Sequence, residues 1–110
     1  MAIDDNPGDK SLEKIVVWLD AEIKELIPNF LKNRNKDVCA IRKALAEGDF
    51  ETIRLRGHSM RGSGEGYGFK RISEIGIFLE KAGETKDGNK VKRWIKALES
   101  YLDRVEINFK

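Results

Sequence analysis

Cysteine is nearly missing from this 110-residue chain, where Cys39 stands alone. A lone thiol closes no intramolecular disulfide and completes neither a Cys-x-x-Cys redox pair nor a thiolate zinc cluster, so a reducing compartment is expected. Histidine is equally scarce, with His58 the single example, and no His, Cys, Asp and Glu residues cluster at metal-ligand spacing, so no metal site is expected. Long apolar runs are missing too. The longest aliphatic and aromatic run, Ile15 to Leu19, falls far short of the roughly 20 residues that span a bilayer, and MAIDDNPGDK has no charged start leading into an apolar stretch. No membrane contact is expected, and a cytoplasmic location is. Charge of one sign is also lacking: 21 Lys and Arg face 19 Asp and Glu, interspersed, for a net +2. Nucleic acid is therefore not an expected partner.

What is present is 40% hydrophobic and 36% charged residues, a balance that supports one folded domain with a heavily charged surface. Residues 1–10 are rich in Asp, Asn, Pro and Gly and read as a flexible tail, leaving 11–110 as the domain. The segment KIVVWLD is rich in β-branched residues and fits a short extended arm, yet its apolar positions also satisfy helical spacing, so its type stays open. Asp20 is a good N-cap for a helix from Ala21, and Pro28 predicts a break with a long helix after it.

Four amphipathic stripes follow. Leu31, Val38, Ile41 and Leu45 share one face up to the stop at Gly48 and the cap at Asp49. Phe50, Ile53, Gly57, Met60, Gly64 and Tyr67 alternate steps of three and four as far as Gly68. The third stripe holds Ile72, Ile75, Gly76, Leu79 and Ala82 before the turn-rich stretch Gly83 to Asn89. The last holds Val91, Trp94, Ile95, Leu98, Tyr101, Leu102 and Val105, extending to Phe109. No convincing strand pair is read. The expected fold is all-α: an antiparallel, up-down four-helix bundle with an additional short N-terminal segment.

On a helical wheel His58 lies about 140° from the centre of its own apolar stripe and so should face solvent. Its same-face neighbours are Arg54 and Leu55 one turn earlier, Arg61 and Gly62 one turn later, and Glu65 two turns on. A neutral imidazole is nucleophilic at physiological pH, and an exposed ring nitrogen is reachable by a phosphoryl group that another protein brings. Arg61 and Arg54 supply fork-shaped donors for phosphoryl oxygens. Gly62 leaves room for close approach, while Leu55 suits a small docking patch, with Glu65 at its rim. The plain alternative is a solvated helix face. Cys39 and Arg34 read as structural, the first a packed small residue and the second a snorkelling stem. The glycines from Gly62 to Gly68 invite a nucleotide-binding reading, but their spacing is not Gly-x-Gly-x-x-Gly and no Gly-Lys-Ser or Gly-Lys-Thr follows.

The run His58-Ser59-Met60-Arg61-Gly62-Ser63-Gly64-Glu65-Gly66-Tyr67-Gly68 resembles the signature of histidine-containing phosphotransfer (HPt) domains. In that family the phosphorylated histidine is followed by an apolar residue at the second position, a basic one at the third, glycine at the fourth, a small residue at the fifth and glycine at the tenth; Met60, Arg61, Gly62, Ser63 and Gly68 stand there. Leu26 to Leu31, Asn33-Arg34, Ala44-Leu45, Gly48-Asp49-Phe50 and Leu79-Glu80 extend the likeness from about Asp20 to the carboxyl end. Arg61 replaces a commoner lysine and Met60 a commoner leucine, both keeping chemical character. The resemblance implies a phosphocarrier that is not itself an enzyme. His58 would receive the phosphoryl group on Nε2 from receiver domains of response regulators and hybrid histidine kinases. It implies no intrinsic cofactor, with Mg²⁺ in the receiver partner, and the chain is expected to be a monomer. A purely stoichiometric adaptor that binds a receiver without accepting phosphate is the alternative.

Overall fold

The computed structural model describes residues 13–110, so the expected tail at 1–10 lies outside the described residues. A strand, β1 (Ile15–Leu19), leads through a 3-10 turn (Ala21–Leu26) into four helices: α1 (Ile27–Ala46), α2 (Phe50–Gly66), α3 (Lys70–Glu84) and α4 (Gly88–Arg104). The chain ends in β2 (Val105–Phe109). Each helix packs on the next and α4 returns to α1, which closes the four-helix bundle.

Local chemistry sets the boundaries. Asp20 caps the 3-10 turn by accepting from the Glu22 N–H at 2.9 Å, and Pro28 falls in the first turn of α1, where a missing N–H costs nothing. Gly48 takes φ +71°, a left-handed turn that other residues adopt reluctantly, and Asp49 then accepts from Thr52 N at 3.1 Å to start α2. Each apolar stripe faces the core, whose fully buried side chains include Ile41, Ile53, Met60, Phe69, Ile75 and Leu98. Burial of each stabilises the fold by roughly 1.5–3 kcal/mol.

The α2–α3 contact is unusually close because it is built from glycine. A Cβ added at Gly57 would lie 2.4 Å from the Glu80 backbone nitrogen, one at Gly64 2.6 Å from Ser73 N, and one at Gly76 2.6 Å from Arg61 N. Backbone meets backbone along two antiparallel helices, and the Ser73 hydroxyl ties them by donating to the Arg61 carbonyl at 2.8 Å.

Three expectations are corrected. β1 and β2 form a parallel two-stranded sheet, Ile15 opposite Val105 through Leu19 opposite Phe109, where no strand pair was read and the last helix was carried to Phe109. The sheet's inner side chains, among them Val17, Leu19, Ile107 and Phe109, pack on the bundle core. Arg34 does not snorkel: it is buried, its Nε 2.8 Å from Asp37 Oδ2, its Nη1 donating to Ser63 Oγ at 2.8 Å, and its guanidinium 4.8 Å over the Phe30 ring. Cys39 is exposed rather than packed. Among the described residues no helix is long and apolar enough to cross a membrane.

Candidate functional site

His58 stands on the face of α2 opposite Ile53, Gly57, Met60 and Gly64, all buried, and its side chain is 60% exposed. The same glycines that point inward decide what lies beside it. Because Gly57 and Gly76 let α2 and α3 touch through their backbones, Glu80 of α3 is brought level with His58, its side chain only 15% exposed. Its Oε2 lies 3.1 Å from His58 Nδ1 and its Oε1 3.4 Å from Arg61 Nη1. A carboxylate only accepts, so the imidazole donates from Nδ1 and the lone pair resides on Nε2. No hydrogen bond engages Nε2 among the described residues. Glu80 thus fixes the ring's tautomer and orientation, and it holds Arg61 beside the ring.

The other residues read from the sequence divide into two groups. Gly62, one turn after His58, is open, with nothing within 4 Å of an added Cβ, and Leu55, one turn before, is 52% exposed. Both lie on the exposed face of α2 that carries His58. Arg54 is held elsewhere: its guanidinium binds Glu51 through Nε–Oε1 at 3.0 Å and Nη2–Oε2 at 2.7 Å. That hydrogen bond holds the Glu51 carboxyl below its ordinary range and raises Arg54. Glu65 is exposed, and the carboxylate that bonds the His58 ring is that of Glu80 instead. The structure therefore joins His58 and Arg61 through Glu80, leaves Gly62 and Leu55 on the same open face, and keeps Arg54 paired with Glu51.

Two residues of the site escaped the sequence reading. Glu80 belongs to the Leu79-Glu80 pair of the family likeness, which carries no site role in the sequence, and the signal that it faces α2 is its place one turn beyond Gly76 on the small-residue edge of α3. Ile77, 44% exposed, lies on α3 one turn before Glu80 and, like Leu55 of α2, is an exposed apolar side chain. Among the described residues no group of three or more His, Cys, Asp or Glu side chains is placed to hold a metal ion.

Comparison with protein-family models, with curated proteins and with solved structures finds no match, so the functional reading rests on these residues and their geometry.

Proposed function

We propose that this protein is a histidine phosphotransfer protein of the HPt type, carrying a phosphoryl group on His58 Nε2 between receiver-domain aspartates. The observation that carries the reading is the pairing of His58 Nδ1 with Glu80 on an otherwise exposed ring, which leaves Nε2 as the nucleophilic nitrogen. In the forward step Nε2 donates its lone pair to the phosphorus of an aspartyl phosphate. The Nε2–P bond forms, the P–O bond to the receiver breaks, and the aspartate leaves as a carboxylate. The ring then carries a proton on Nδ1 and a positive charge, which the Glu80 carboxylate stabilises through the hydrogen bond already in place. Attack by a second receiver's carboxylate on the same phosphorus reverses the bonds and restores the neutral ring.

Such transfer depends on alignment and charge neutralisation more than on covalent machinery. Arg61 neutralises incoming phosphoryl oxygens, Gly62 admits the partner's loops close to the helix, and Leu55 with Ile77 gives the partner exposed apolar side chains on α2 and α3. The receiver supplies its acidic pocket and Mg²⁺. The test is intact mass after incubation with phosphoramidate, comparing wild type with His58→Gln. One acid-labile, alkali-stable phosphoryl group on wild type alone is the expected result. An unmodified wild type, under conditions that phosphorylate a control carrier, overturns the reading in favour of the stoichiometric adaptor.

A further inference from the structure

Among the described residues the β1–β2 sheet has two strands, and a parallel pair with an open face is uncommon because such sheets are ordinarily covered on both sides. The outer face of β1 carries Val16, 51% exposed, and Trp18, 58% exposed, on a strand without charge, proline or glycine. Proteins usually guard an edge of this kind with charge, proline or a bulge.

The backbone shows which groups face outward. Lys110 continues the ladder past the end of β2, its N–H donating to Leu19 O at 3.0 Å and its C=O accepting from Ala21 N, just beyond β1, at 3.1 Å. By strand alternation the peptide groups of Ile15, Val17 and Leu19 face β2, and those of Val16 and Trp18 face away from it.

We propose that this edge, open among the described residues, pairs with β1 of a second copy of the chain, antiparallel and centred on Val17, to make a two-fold dimer with one four-stranded sheet. In that register Val16 opposes Trp18 of the second copy, and each such pair exchanges two backbone hydrogen bonds, as the outward groups require. On the exposed face Val16 meets Trp18, an aromatic on a β-branched side chain, and one step outward Lys14 meets Asp20. Both ends of the contact repeat this by symmetry. Asp20 keeps an oxygen for Lys14, because only Oδ1 accepts from Glu22. Its backbone is already extended, at φ −67° and ψ 130°. The neighbouring allowed registers lose this match: one sets Trp18 against Lys14, the other Val16 against Asp20. Charge complementarity and apolar complementarity thus select one register, and the monomer expected from the sequence gives way to a small, concentration-dependent interface. This inference stands independently of phosphoryl transfer.

The test is sedimentation velocity on the full chain from about 10 μM to about 1 mM, the range in which small interfaces dissociate. Wild type is expected to move from 12.6 kDa toward twice that mass as concentration rises, with Trp18 fluorescence shifting to the blue. Lys14→Glu, which sets Glu against Asp20 at both ends, raises the dissociation constant about tenfold. Val16→Pro removes an outward N–H while sparing the ladder to β2, and abolishes the dimer. Asp20→Lys dissociates alone but recovers the dimer when mixed with Lys14→Glu, and circular dichroism confirms that each variant is folded. A wild type that stays at 12.6 kDa at about 1 mM, or an association that survives both Lys14→Glu and Val16→Pro, overturns the proposal.

Discussion

Replacing Gly57 with alanine puts a methyl group where α3 already is. The added Cβ would lie 2.4 Å from Glu80 N, 2.8 Å from the Gly76 carbonyl oxygen and 2.9 Å from Glu80 Cα, against 3.4–4 Å for ordinary contact. All three are backbone atoms that no rotamer change can move, so α3 must retreat by about 1 Å from a close-packed interface. Overpacking of this kind costs about 3 kcal/mol, and alanine's better helix propensity returns about 1 kcal/mol, for a net loss of about 2 kcal/mol. In a domain of this size that lowers Tm by roughly 8–16 °C. The control is Gly62→Ala on the same helix, where the Cβ meets nothing within 4 Å. There only the propensity gain applies, and stability rises by about 0.5–1 kcal/mol. Urea denaturation followed by circular dichroism at about 222 nm measures both, with an unchanged m-value showing that the midpoint shift is a change in stability. A Gly57→Ala protein as stable as Gly62→Ala would refute the claim that backbone contact between α2 and α3 positions Glu80.

Gly62→Ala, although more stable, is expected to accept phosphate from a receiver more slowly while its reaction with phosphoramidate is unchanged, since the new methyl obstructs only a large partner. Glu80→Ala is expected to slow phosphorylation roughly tenfold, one charge-assisted hydrogen bond at an exposed site, with Glu80→Gln recovering much of the rate because its amide oxygen still accepts from Nδ1; single-turnover kinetics distinguish the two. Asp37→Ala is expected to cost about 3 kcal/mol in urea unfolding, because it strips the carboxylate from the buried Arg34 guanidinium as well as from Arg56. The side-chain hydrogen bond from Thr52 lowers the Asp49 carboxyl below its ordinary 3.8, so its contribution is complete above that value and is lost as pH falls through the lower folded one. Asp49→Asn keeps the cap and flattens that part of the profile of urea midpoint against pH.

The helices were legible because their signals are local. Gly48-Asp49, Gly68 and the stretch after Gly83 punctuate the chain within a few residues of each boundary, and the three-four spacing of Phe50 to Tyr67 needed no partner to be read. The sheet was not legible for the opposite reason. Val105 to Phe109 continues the spacing of α4, and only Ile15 to Leu19, some 90 residues away, makes it a strand. Arg34 misled because its stripe position is helical, whereas its hydrogen-bond partner Ser63 lies on another helix. At the site, the exposure of His58, Leu55 and Gly62 followed from the wheel of one helix. The place of Glu80 depends on Gly57 and Gly76 facing each other across two helices, and Arg54 shares the wheel face of His58 yet is taken by Glu51 three residues away.

In the proposed transfer Glu80 holds the proton on Nδ1 and so leaves Nε2 to take the phosphoryl group. Nitrogen-15 and phosphorus NMR of the phosphoramidate-treated protein assigns the isomer directly. A single phosphohistidine at His58 with phosphorus on Nε2 and a protonated Nδ1 is expected. Phosphorus on Nδ1, or a folded protein in which the His58 ring stays unmodified, would contradict it.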